Sequence, residues 1–275
     1  MSFGATGSWN ASMGRARLVI AAIIAAVAVI TYYGSTSINP VTGEKQRVAM
    51  TPEQEVALGY KTAPQMAAQM GGLSQNEKAR ARVRQVGEGL VARSFAAKSP
   101  YKFSFHVLAD QRTVNAFALP GGPIFITEGL LRLLKTEAEL AGVLGHEIGH
   151  VIGRHSSERL AKQQLTQGLL GALVVGSGDY STAQLGQLVG SMINMSYGRE
   201  DELESDAFGV RIMAEGGYDP RAMIRVMEVL AKASGGGSRQ PEFFSTHPAP
   251  ENRSARIKEA IAKQFPGGVP EGLKR

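Results

Sequence analysis

Two histidines four residues apart, with a glutamate between them, lie inside an apolar stretch: Leu144-Gly145-His146-Glu147-Ile148-Gly149-His150. On a helix, positions i and i+4 share a face one turn apart, so both imidazoles can reach a single ion. Glu147 projects beside them without being a ligand, which lets it take a proton from an attacking water. Val143, Leu144, Ile148, Val151 and Ile152 surround the motif and make this helix a largely buried one. Polar groups inside such a helix need partners, because unpaired burial is costly, and a metal supplies them. A surface helix with two unconnected histidines would not carry this apolar surround. Neutral imidazole with a hard carboxylate suits zinc, one ion per chain, and HExxH with apolar neighbours is the metalloprotease form of the motif.

Zinc in a hydrolytic site takes three protein ligands and leaves one position open. No third histidine follows at metzincin spacing, so a carboxylate on a later helix is expected. The acidic run Glu200-Asp201-Glu202-Leu203-Glu204-Ser205-Asp206 is the best supplier. Glu202 and Asp206 share a face at i, i+4, as needed if one binds metal and the other orients a liganding histidine. Spacing alone does not choose among the acids, and acids in a first helical turn also suit the helix dipole.

The remaining composition narrows the classes. The 275 residues are 43% hydrophobic and 20% charged, an ordinary globular balance, and suffice to bury a core. The net charge of +6 is dispersed, with Arg80, Arg82 and Arg84 mixed among Glu77 and Glu88, so no basic stripe for nucleic acid is present. The absence of cysteine excludes disulfides, thiolate metal sites and cysteine nucleophiles.

Leu18–Ile30 is unbroken apolar, extended by Thr31, Tyr32 and Tyr33 and preceded by Arg15 and Arg17, with no acid before Glu44. The two arginines keep the N-terminus inside while the rest crosses, and the tyrosines suit an interfacial belt. Residues 1–17 therefore read as a cytoplasmic n-region and 18–37 as an uncleaved membrane anchor, with a cleaved export signal as the alternative and a mitochondrial presequence as a third option. Residues 38–50 read as a polar linker, 51–265 as the catalytic domain and 266–275 as a frayed tail.

Within the domain, Thr51-Pro52-Glu53 opens a helix that Gly71-Gly72 ends, and a second runs from about Ser74 to Lys98. Alternation at Phe103, Phe105, Val107 and Ala109 marks a strand, and Val114–Leu119 and Pro123–Thr127 two more, joined by Pro120-Gly121-Gly122. Helical periodicity resumes at Glu128, and further helices are expected at 199–216, 220–233 and 251–264. Residues 168–191 read as a helical hairpin, a substrate lid, a membrane-contacting patch or a buried small-residue helix. Ser234-Gly235-Gly236-Gly237-Ser238 reads as a flexible loop.

Several separate blocks carry a resemblance. They are Asn115-Ala116-Phe117-Ala118-Leu119-Pro120-Gly121-Gly122, then Ile124-Phe125-Ile126-Thr127 and Gly129-Leu130, the HExxH helix, Glu202-Leu203-Glu204-Ser205-Asp206, and Ser245-Thr246-His247-Pro248 with Arg253. Over roughly residues 50–262 the chain resembles the membrane-associated gluzincin endopeptidases, the family of HtpX, BepA and the CAAX prenyl protease. The resemblance implies an α+β, zincin-like (gluzincin) fold, mostly helical with a small β-sheet beside the HExxH helix. The family's ExxxD pattern falls on Glu202 and Asp206, which makes Glu202 the third ligand and Asp206 its outer neighbour. The single N-terminal segment resembles the periplasmic branch.

In gluzincins a strand above the metal has a free edge to which an extended substrate adds; Asn115, Ala116 and Phe117 would supply it. His247 would stabilise the oxyanion, or swing onto the open zinc position and hold the enzyme inactive. Arg253 would bind a substrate carbonyl or anchor its loop to an acid. His106 and His155 read as structural or solvated. The expected function is zinc-dependent hydrolysis of peptide bonds in misfolded or unassembled cell-envelope proteins, by a domain held in the periplasm. A zinc-stabilised assembly factor with little proteolysis is the second reading, and a metal-free structural module the third.

Overall fold

In the computed structural model, which describes residues 6–177, 197–234, 242–248 and 252–275, the HExxH segment is a helix, Glu137–Gly153. Thr136 starts it: its side chain accepts from the Glu139 amide at 3.2 Å, and the Glu139 carboxylate accepts from the Thr136 amide. This reciprocal cap satisfies two amides that the first turn leaves unpaired. Every residue from Ala138 to Gly153 is buried. A helix apolar on all sides needs cover on all sides, and the rest of the fold provides it.

One side is covered by a three-stranded sheet in the order β3-β5-β4. Strand β3 is Ser104–Leu108, β4 is Ala116–Ala118 and β5 is Pro123–Thr127. β3 runs parallel to β5, and β4 antiparallel to it, with Phe117 opposite Phe125. Ala116, Ala118, Ile124 and Ile126 join Leu140, Leu144 and Ile148 of the motif helix in one core. Among the described residues β4 pairs only with β5, so its outer edge is open. The helix Glu77–Arg93 buries Val83, Val86 and Leu90 in the same core.

The described residues fall into two compact units. One takes 39–44, 50–157 and everything from 197 onward, and holds the core just described. The other takes residues up to 38, 45–49 and 158–177. In it the helix Thr6–Gly34 contains a stretch, Gly14–Gly34, of mean hydropathy 2.1, long and apolar enough to cross a membrane. The Arg47 guanidinium lies 4.8 Å from the Tyr33 ring centre. The helix His155–Ser177 contributes Leu165 and Gly168 to an apolar groove with Ile23, Ile24, Val27 and Ala28.

Several expectations change. The linker is not featureless: β1 (Thr36–Ile38) pairs antiparallel with β2 (Lys45–Arg47). The helix expected over 74–98 is Glu77–Arg93 followed by a 3₁₀ turn, Phe95–Lys98, because Ser94 is extended (φ −114, ψ 175) and breaks the α-helical run. The last ten residues do not fray at their end, where Lys274 pairs through its backbone with Asp219 at 2.9 Å and Gly217 at 3.0 Å. Of 168–191, residues up to Ser177 are helical; residues 178–191 and the Gly-rich loop 235–238 lie outside the described residues.

The motif helix ends at Arg154, which has φ 61, the one non-glycine residue described in the left-handed region. Such a residue costs strain unless its surroundings over-determine it. Here the side chain does so: the guanidinium, 2% exposed as a residue, lies 2.8 Å from buried Glu55 and donates to the Met50 carbonyl at 2.7 Å.

Candidate metal centre

The second half of the centre comes from the helix Arg199–Gly216, which packs along the motif helix. The two can approach closely because small residues face each other. A Cβ on Gly149 would lie 2.9 Å from the Ser205 carbonyl oxygen, and one on Gly209 would lie 3.2 Å from the His146 amide nitrogen. At this spacing Glu202, fully buried, reaches both histidines. Its Oε2 is 3.4 Å from Nε2 of His146 and its Oε1 is 3.3 Å from Nε2 of His150. The two Nε2 atoms are 3.0 Å apart. A fourth donor, Nδ1 of His247, lies 2.9 Å from Glu202 Oε1 and 3.4 Å from His146 Nε2.

These spacings can be tested against an ion. Nitrogen and oxygen ligands sit about 2.0–2.1 Å from zinc, so tetrahedral donors are about 3.3 Å from one another. The four donor atoms of His146, His150, Glu202 and His247 all lie within 4.8 Å of one another, and the distances above cluster around that value. Glu202 Oε2 and His247 Nε2 are buried and make no hydrogen bond, with Arg253 Nη1 3.0 Å from the first and Glu147 Oε1 3.6 Å from the second. The residues therefore fit a divalent cation, which would satisfy polar groups otherwise buried at a cost.

Around the donors stands a charged support. Nδ1 of His146 lies 2.9 Å from Asp206, and Arg253 forks onto the same carboxylate at 2.7 and 2.9 Å. Nη1 of Arg253 is 3.0 Å from Glu202. The Arg253 guanidinium is buried against these acids, tying the helix Arg253–Gln264 to the site. Burial disfavours the imidazolium of His146, but Asp206 and Glu202 outweigh it and push its pKa up to about 9. Burial together with the neighbouring histidines holds His150 well below the usual range, against the pull of Glu202. Burial raises the Glu202 carboxyl, yet His247, His146 and His150 hold it well below its usual value.

Glu147 is different. It is fully buried, neither oxygen has a hydrogen-bond partner, and Nε2 of His247 lies 3.6 Å from its Oε1. Burial pushes its pKa up, opposed by the charges of His247 and His146. A carboxyl so placed is a stronger proton acceptor than an exposed one.

Asn115 lies just before β4 and is buried, its carbonyl accepting from the Thr127 amide at 3.0 Å. Ala116 and Phe117 are in β4, Phe117 stacked on Phe125 at 5.1 Å. Ala118 and Leu119 border a small cavity with His150 and Val151, which puts the open-edged strand next to the donor set. The short helix Glu242–Thr246 that presents His247 is tied there by the Phe243 amide, 3.1 Å from the Val114 carbonyl, and Phe243 stacks on His247 at 4.5 Å.

Three residues stand around His150 that the sequence does not place there. Tyr197 stacks on His150, ring centres 4.0 Å apart, and no motif marks it. His155 hydrogen-bonds His150 and in turn Glu204; it is enclosed, which fits the structural of its two expectations and not the solvated one. His106 is half-buried on Phe125, away from the centre.

A family model described as peptidase family M48 matches residues 77–261. The chain is 31% identical over 193 residues to the beta-barrel assembly-enhancing protease of Escherichia coli, covering 67% of this chain and 39% of that protein. It is 33% identical over 236 residues to the Yersinia pestis protein of the same name, covering 82% and 48%. It is 36% identical over 165 residues to the mitochondrial metalloendopeptidase OMA1 of Schizosaccharomyces pombe, covering 58% and 47%. In each case the match spans less than half of the relative's length.

Proposed function

Since the chain belongs to peptidase family M48, we propose that it is a zinc-dependent metalloendopeptidase acting on unfolded or unassembled cell-envelope polypeptides. The observation that carries this reading is the convergence of His146, His150, Glu202 and His247 beside a buried, unpartnered Glu147. In it His146, His150 and Glu202 hold the ion, and Asp206, braced by Arg253, orients His146. Zinc, when bound there, supplies Lewis acidity that polarises the scissile carbonyl and acidifies a water. Glu147 takes the proton from the attacking water and hands it to the leaving amine. An extended peptide adds to the open edge of β4 along Ala116 and Phe117 through main-chain hydrogen bonds, so selectivity is left to side-chain pockets; Asn115, whose amide and carbonyl both bond Thr127, fixes the start of that strand. His247 would supply a further donor and hold the enzyme inactive until moved aside; the proximity of its Nδ1 to His146 and Glu202 supports this role over an oxyanion contact. The purified protein is expected to carry one zinc and to digest unfolded casein in a chelator-sensitive manner. Absence of both bound metal and chelator-sensitive cleavage would sink the reading.

The same proposal places the catalytic part, residues 51–265, outside the inner membrane of a bacterial envelope, with 1–17 inside and 18–37 as the anchor. Support comes from the apolar Gly14–Gly34 stretch, the arginines ahead of its apolar run, and the bacterial relatives. The protein is expected to stay in carbonate-washed membranes, with protease access to residues 51–265 only from outside. Release by carbonate would overturn the anchor.

A further inference from the structure

His155 lies outside the donor set, yet both of its ring nitrogens are engaged and it is 1% exposed. Its Nδ1 is 2.8 Å from Nδ1 of His150, and its Nε2 is 2.8 Å from Oε2 of Glu204. A hydrogen bond between two imidazole nitrogens needs one N–H and one lone pair. If Nε2 of His150 faces the ion as a lone pair, its proton is on Nδ1 and is donated to His155. His155 then accepts on Nδ1, carries its own proton on Nε2, and donates to Glu204, whose carboxylate is an acceptor only. One tautomer assignment satisfies the whole row. The reverse needs a protonated Glu204 and turns the N–H of His150 toward His146, Glu202 and His247.

We infer that His155, itself oriented by Glu204, is a positioning residue for His150, fixing the tautomer and ring direction with which His150 meets the metal. This rests on the metal-site reading above. The two histidines of the motif are thus braced differently. Asp206 holds Nδ1 of His146 directly at 2.9 Å, whereas a carboxylate reaches Nδ1 of His150 only through a second imidazole. Ser205 Oγ, 3.4 Å from Nδ1 of His155, is a weaker neighbour of the same atom.

The local backbone is built for this contact. In an unbroken helix a residue five positions on lies about 140° round the axis, so His155 could not face His150. The left-handed turn at Arg154 (φ 61) reverses the direction, and Gly153 leaves room for the ring: a Cβ there would lie 2.4 Å from Nε2 of His155.

A residue that merely filled space would be replaceable by leucine without changing how tightly the metal is held. The test is zinc affinity of the full-length protein, measured by competition with a chromophoric chelator, for wild type, His155→Leu, His155→Gln and Glu204→Gln. Outer partners of liganding histidines are worth about 10–100-fold in metal affinity. His155→Leu is expected to lose that much and to alter the ligand-field spectrum of the cobalt-substituted protein. His155→Gln, whose amide can accept from His150 and donate to Glu204, is expected to recover most of the affinity. If the leucine variant does not fold, Glu204→Gln, at a position with a 30% exposed side chain, carries the test and is expected to weaken zinc about 10-fold. Wild-type affinity in every folded variant overturns the inference, while a wild-type protein that binds no zinc defeats the metal-site reading instead.

Discussion

Glu147→Gln is expected to leave the protein folded and loaded with zinc while cleavage falls by about 10²–10⁴-fold, the usual contribution of a positioned general base. The exchange is close to isosteric, and Glu147 makes no hydrogen bond that the amide would break. It is not itself one of the four converging donors, so metal content isolates the proton-transfer role. The buried carboxyl, its pKa pushed up by desolvation, is a better base than an exposed one, and an amide cannot act as one at all. Casein digestion and zinc content of the two proteins give the comparison; normal cleavage by a zinc-loaded variant would remove Glu147 from the mechanism. The same variant separates the assembly-factor reading, under which cells carrying it would keep their function.

Gly149→Val is expected to abolish metal binding and activity together. The new Cβ meets the Ser205 carbonyl oxygen at 2.9 Å and its Cα at 3.1 Å, contacts that no side-chain rotation relieves. Overpacking of this kind costs about 1–3 kcal/mol, so the chain still folds, with its two site helices pushed apart. Glu202 rides on the displaced helix one turn before Ser205, and zinc ligation tolerates errors of only about 0.2 Å. Zinc content after dialysis, read alongside thermal unfolding, tests this. A folded valine variant that retains zinc and full activity would show that helix spacing does not place Glu202.

The parts of the centre that were legible share one property: their geometry follows from local periodicity. The helix 137–153 can be read from its apolar surround and its two histidines, because residues four apart on a helix meet whatever else the chain does. The strands 104–108 and 123–127 follow from alternation and the Pro-Gly-Gly turn between the second and third. The choice among the acids of 200–206 does not follow from spacing, since it depends on how two helices are rotated against each other. The contact of His155 with His150 is illegible for a sharper reason. Its approach to His150 requires a left-handed arginine, and a non-glycine residue in that conformation leaves no mark in the sequence. The β1–β2 pairing and the anchoring of Lys274 are likewise long-range backbone matters that short polar stretches do not announce.

The donor residues are drawn from segments far apart in the chain, His146 and His247 being 101 positions from each other and Glu202 and His247 45. In a protein with no cysteine, one ion held by these residues would act as a cross-link across long loops, with the kind of entropic benefit a disulfide confers. Unlike a disulfide, it can be fastened after folding and undone without redox chemistry. A peptidase tied together this way would depend on its metal supply twice over, once for cleavage and once for keeping these segments in place.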